Sequence, residues 1–500
     1  MNEGSGGAAK ATVDFRLENA SLLTSAGLVT GDNGVAVDGE TIVAVGRTDS
    51  LPPACRTIDC EGNIVAPGIV DEHVHDRSLG QTHKEDWGTL TRSAAAGGVT
   101  TVLGHGNTDP FVERPGDVER KLDLAAASAI VDFGCFAWVT AENYDRLGPL
   151  AAAGAVGFQA SLAEAPLDSG QLLAATEHCV PTGRRFGVHV EDGAIIDARR
   201  AAVEANGKGT TSGEGATSGE GTTNGEGATS GEGTAIDHCR GRPAVAEAVG
   251  AATVVEIARE TGCPLHVFQV SAGSTLDPLV RAKREGLDLT VETCPHYLRF
   301  TEAEMARQGS VAVVSPPLRS EAERDRLWSV GIDGGCVDCI GTDHAPHTDA
   351  EKRVDDPFGP VRGVSHGFVG LETAVPMLLT FVAQGRLSLA EWIGLHSEMP
   401  ARVWGLYPEK GSLHVGTDAD LVVVDPDREW TFDRANLRSK GTVTPFDGER
   451  FRGAVVTTIV RGRVVYEDGA VTGDSGWGER VDPSCDGRID PNCGSPADPQ

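Results

Sequence analysis

Nowhere in its 500 residues does this chain carry an apolar run of 18 residues, so no transmembrane helix is expected. The opening decapeptide MNEGSGGAAK lacks the charged-then-apolar profile of a secretory leader, which makes the cytoplasm the expected compartment. Cysteine is sparse and irregularly spaced, with 11 residues, which excludes a disulfide scaffold. The one C-x-x-C, Cys336 and Cys339, falls inside an apolar run and reads as two buried thiols. Basic residues are also short: 43 Lys and Arg, few of them lysine, face 73 Asp and Glu, a net charge of −30. Such a surface repels nucleic acid and anionic membrane, and neither is an expected partner. The excess of carboxylates reads either as ordinary acidic solubility or as halophilic adaptation to a salt-rich cytoplasm.

What is present is a 40% hydrophobic chain long enough for one large barrel and an appended domain. Short β-rich stretches separated by turn signals occupy 11–66 and return over 412–471, which predicts one small β-sandwich domain built from both ends of the chain. Between them, over 67–411, eight strand-like runs alternate with alanine-rich helical stretches. The runs are 69–75, 99–105, 133–139, 156–162, 186–191, 265–271, 289–294 and 336–343. This alternation predicts an α/β fold, a (β/α)₈ TIM-type barrel, and no glycine fingerprint follows the first run to support a doubly wound sheet. Residues 1–10 and 473–500 read as disordered. Residues 210–233 are four near-copies of a hexapeptide of the type TTSGEG, a low-complexity insert without a large apolar side chain.

Chemistry concentrates at the predicted C-terminal ends of the strands. His73 and His75, two residues apart at the end of the first run, project to one side of a strand and can share a metal. His189 ends the fifth run and Asp343 the eighth. Three imidazoles and a carboxylate suit one Zn²⁺ with a position left for water. Asp343 is the candidate general base and acid of the reaction.

These residues lie in stretches, APGIVDEHVH, GQTHKEDWGTLTRSAAAGGVTTV, VETCPHYLRFT, SPPLRSEAERDRLW, GTDHAPHT and KGSLHVGTDADLVVVDPDREW, that resemble the dihydroorotase, allantoinase and hydantoinase branch of the amidohydrolase superfamily. The resemblance runs from about Val13 to Val471. It implies metal-dependent hydrolysis of a C–N bond in a small cyclic amide or ureide, in pyrimidine or purine metabolism, by a homo-oligomer. Two positions depart from the branch. Gln159 stands where a carboxylated lysine usually bridges two metals, and Gln269 where a sixth-strand histidine is usual, with His266 three residues away on the other strand face. The surviving set, His73, His75, His189 and Asp343, resembles that of mononuclear members, with Gln269 placed to hydrogen-bond the bound water. Arg77, Asn107 and His347 match dihydroorotase positions that hold a substrate carboxylate, and Ser315 matches one that touches the ring. Asp76 adds a carboxylate beside the H-x-H pair, and His105-Gly106 replaces the usual residues before Asn107. A dihydroorotase-like activity is expected first, an allantoinase or hydantoinase/dihydropyrimidinase activity second. A catalytically silent paralogue serving as a partner subunit is the non-enzymatic alternative.

Overall fold

A computed structural model describes residues 12–207 and 233–483 of the chain. The predicted disordered start at 1–10, the repeat at 210–232 and the end from 484 lie outside the described residues.

All eight expected runs form parallel strands of one sheet: β1 (Ile69–Val74), β2 (Val99–Gly104), β3 (Asp132–Trp138), β4 (Gly157–Ser161), β5 (Phe186–His189), β6 (Leu265–Phe268), β7 (Leu289–Thr293) and β8 (Cys339–Ile340). Each pairs with its neighbour in sequence order, and a parallel bridge from Val74 to His344 closes the ring beyond β8. The expected eighth strand, 336–343, shortens to two residues, because Gly334 and Gly335 make a turn and Asp338 spends its side chain on Val291 N and Lys283. Cys336 and Cys339 are buried and unbridged, as expected of packing thiols.

The two chain ends join in a second, largely antiparallel sheet. The strand Ile64–Pro67 takes Val13–Thr24 on one side and Leu421–Thr431 on the other, and Arg450–Val460 continues the sheet. Val35, Val37, Ile42, Val65, Leu421 and Val423 fill its own core. A buried ionic knot ties sheet to barrel. The Lys410 ammonium sits among Asp132 at the start of β3, Asp420 at 2.8 Å and Asp418 at 2.9 Å, while Arg461 reaches Asp132 at 3.1 Å. The three aspartates resemble a cation site, and Lys410 is already its cation.

The expectation of disorder from Gly473 fails over 473–483. Val481 donates its N–H to Phe133 O, Phe133 returns one to Glu479 O, and Gly476 and Gly478 both bond Ala129 O, so this segment straps the start of β3. Trp477 anchors it through Nε1 on Val460 O and under the Arg461 guanidinium. The glycines and prolines that suggested disorder provide the tight path such a strap follows. Among the described residues no helix is long and apolar enough to cross a membrane.

His396, at the bottom of the barrel, is fully buried with neither ring nitrogen hydrogen-bonded. Burial lowers its pKa to about 3. A base depressed in the folded state binds fewer protons than the unfolded chain, so its share of stability is intact above pH ~6.5 and is lost as pH falls toward 3. That share is about 1.4 kcal/mol per pH unit. The urea midpoint of the parent should therefore drop more between pH 7 and pH 5 than that of a His396→Leu variant; parallel pH profiles would refute this.

Candidate active site

The end of β1 carries both His73 and His75 at the barrel mouth, two residues apart on one side of the chain, and its register against β2 shifts between Asp71 and Val74. Gly341 permits the close approach of the eighth strand: a Cβ there would lie 2.9 Å from His73 Cβ and 3.0 Å from Glu292 Cδ. Asp71 fastens this end of the ring through Thr342, accepting from its N–H at 3.1 Å and its hydroxyl at 2.6 Å. Asp343, just past β8, and Gln269, just past β6, both adopt left-handed backbone, with φ of 48° and 54°. Non-glycine residues held there are strained and cluster at functional sites.

Of the four residues proposed as ligands, His73, His75 and Asp343 bring ligand atoms together, and the His189 ring stands beside them. His75 Nε2 lies 3.0 Å and His73 Nε2 3.4 Å from Asp343 Oδ1. The His73 and His189 ring centres are 5.4 Å apart. The far sides of the first two rings are committed: His73 Nδ1 donates to Glu292 Oε1 at 2.8 Å and His75 Nδ1 to Asn107 Oδ1 at 2.9 Å. With those protons placed, two imidazole lone pairs and a carboxylate oxygen face one another. That arrangement repels itself unless a proton or a metal cation stands among them. Burial lowers the pKa of His73, and it lowers that of His189 further with the help of the neighbouring imidazoles, so both rings are neutral and ligand-competent at pH 7. The residues present therefore fit one metal ion.

The altered positions shape the same region. Gln159 Nε2 reaches His189 Nε2 at 2.8 Å and His105 Nδ1 at 2.6 Å, while its Oε1 accepts from Gly106 N at 3.1 Å. The Gly106 N–H fixes the amide orientation, so the His189 Nε2 lone pair is engaged by Gln159. Gln269 lines the cavity, and its Oε1 accepts from His189 Nδ1 at 2.8 Å. His266 lies deeper in the barrel, against Thr290 Oγ1 at 2.8 Å. Asp76 is not a carboxylate beside the metal: Lys121 takes it at 2.6 Å, both side chains fully buried.

Sequence reasoning noted His105 only as a departure. The structure stacks its ring on His73 at 3.8 Å and groups its ligand atoms with those of His73 and His75. Glu292 was missed, although its place in VETCPHYL, at the end of the strand next but one to the H-x-H strand, was the available signal.

Above the cluster opens a cavity of about 640 Å³, lined by His75, Asn107, His189 and Asp343 at its floor and by Trp138 and Ser315 on its wall. Ser315 Oγ pairs with His366 Nδ1 at 2.8 Å. Arg77 and His347 are not part of that lining; they meet each other, Arg77 Nη2 to His347 Nε2, at 3.3 Å.

An eight-stranded parallel barrel with neutral histidines and an aspartate at its C-terminal mouth, joined to a sheet from both chain ends, defines a metal-dependent barrel hydrolase. The amidohydrolase family matches residues 64–465, and the chain belongs to that family. It is 32% identical to an allantoinase of Solibacter usitatus, over 92% of this chain and 95% of that protein. It is 34% identical to a dihydroorotase of Geobacter sp., over 87% and 95%. Among solved structures, the L-hydantoinase from Arthrobacter aurescens superposes with a TM-score of 0.85 at 30% identity, covering 94% of this chain and all of that one.

Proposed function

We propose that this chain, a cyclic amidohydrolase, opens a cyclic amide or ureide by hydrolysing one ring C–N bond with a single bound Zn²⁺. The convergence of His73 Nε2 and His75 Nε2 on Asp343 Oδ1, with His75 and Asp343 at the floor of the cavity, carries this reading. His189 is the fourth donor, exchanging the Gln159 N–H for the ion. Held by these residues, a Zn²⁺ ion would supply Lewis acidity at a ring carbonyl and would lower the pKa of water from about 15.7 toward about 7. Asp343 takes the proton of the attacking water and returns it to the departing ring nitrogen. Glu292 and Asn107 hold the two imidazoles in one tautomer and orientation. Ser315 and Asn107 offer hydrogen bonds to the ring from the cavity wall.

Two substrate readings differ in charge. A dihydroorotate-like ring carries a carboxylate, for which Arg77, Asn107 and His347 are the clamp. Of these only Asn107 lines the cavity, and its Oδ1 serves His75. This geometry favours a neutral ureide ring of the hydantoin or allantoin type. A carboxylate denied its charge-assisted hydrogen bond loses about 1.5–3 kcal/mol, or about 10–100-fold. Assayed side by side with zinc-loaded protein, hydantoin or allantoin should therefore be turned over at least about tenfold faster than dihydroorotate. The reverse order would restore the Arg77 clamp. Failure of dihydrouracil and the other three rings alike would leave the silent partner subunit.

A further inference from the structure

Beneath the histidines a second group of donor atoms meets on the barrel axis. Glu72 on β1, His266 on β6 and Glu292 on β7 each offer one ligand atom, and these lie within 4.8 Å of one another. β1 and β6 are not neighbours in the sheet, so their side chains meet only through the barrel interior. All three residues are 0% exposed. His266 Nε2 and Glu292 Oε2 have no hydrogen-bond partner, and the Glu72 carboxyl lies against the Cys339 thiol. Thr290 fixes the His266 ring from its Nδ1 side, and His266 Nε2 stands 3.7 Å from Glu292 Oε2. Val70, Leu103, Phe136, Phe268 and Trp404 pack nearby as an apolar plug.

An ionised carboxylate held this way costs several kcal/mol unless it is paired. Two carboxylates and a neutral imidazole sum to a charge of about −2, which one divalent ion would cancel. A mixed nitrogen and oxygen set suits a borderline transition ion of the Zn²⁺ type, whereas Mg²⁺ and Ca²⁺ prefer oxygen alone.

We propose that Glu72, His266 and Glu292 form a second, fully buried site for a divalent transition-metal ion, one layer below the mouth and independent of His75, His189 and Asp343. Glu292 joins the two layers, one oxygen facing this site and the other holding His73 Nδ1 at 2.8 Å. An ion there would fix the Glu292 carboxylate in place, and Glu292 in turn holds the His73 ring with its Nε2 aimed at Asp343. The ion is a positioning element and touches no substrate.

The test removes two donors of the mouth and leaves the interior. A His75→Ala/Asp343→Ala double variant, dialysed against zinc-containing and then zinc-free buffer, should retain one equivalent of zinc by elemental analysis. Adding Glu72→Gln should remove it while the far-UV spectrum stays that of the parent. Cadmium NMR of the double variant gives a readout with the cluster untouched, and one slowly exchanging resonance typical of nitrogen and oxygen ligands is expected. A folded double variant that holds no zinc and gives no such resonance overturns the proposal, and a proton shared between Glu72 and Glu292 then fills the cluster. Zinc retained in full by the Glu72→Gln triple variant overturns it as well. Neither result depends on ring hydrolysis, so the proposed activity stands or falls separately.

Discussion

Replacing Asp343 by Asn should lower kcat by about 10²–10⁴-fold, the range that a positioned general base contributes, with little change in melting temperature. Asn preserves the size of the side chain but cannot accept a proton from water or hand one on. It also presents an N–H to His75 Nε2, whose lone pair now lies 3.0 Å from the Asp343 carboxylate. The variant therefore loses the proton carrier and the convergence of acceptors in a single change. Steady-state assays on the best ring substrate, with unfolding curves as control, check this. A variant keeping more than about a tenth of the parental kcat would remove Asp343 from the proton-transfer role.

The second large effect concerns stability. Lys410→Met should cost about 3–5 kcal/mol, because it strands carboxylates that the ammonium now neutralises. Burial alone would lower the Lys410 pKa, yet Asp420, Asp132 and Asp418 together raise it above its ordinary value. Arg461 remains to balance Asp132 but meets Asp420 only through its backbone N–H. The loss should appear as a lower urea midpoint and as faster hydrogen exchange along Leu421–Thr431, the strand that begins one residue after Asp420. Unchanged stability would mean that the knot is already compensated by protonated carboxyls.

Much of the barrel was legible because buried parallel strands write themselves as short apolar runs at regular intervals. The H-x-H pair and two strand-end residues were legible for a related reason, since strand ends of a barrel share one mouth. The interior layer was not. Strict alternation would turn Glu72 away from the side that His73 faces, yet Glu72 meets His266 and Glu292 inside the barrel, where the register against β2 shifts after Asp71. Hydrogen bonding was equally hidden: nothing in a sequence tells that Gln159 bridges His105 and His189, or that Asn107 serves His75 more than a ligand. The strap over 473–483 was misread because its fixing contacts are backbone bonds to Ala129 and Phe133, which composition does not encode.

The sheet assembled from both chain ends also sets an order of events during synthesis. The strand Ile64–Pro67 emerges early, and its second neighbour, Leu421–Thr431, leaves the ribosome only after the whole barrel has been made. Through that interval the nascent chain carries an open β edge of four buried residues, a template for pairing with another copy. Slow translation or a stop codon before residue 421 should thus yield aggregates rather than a soluble barrel.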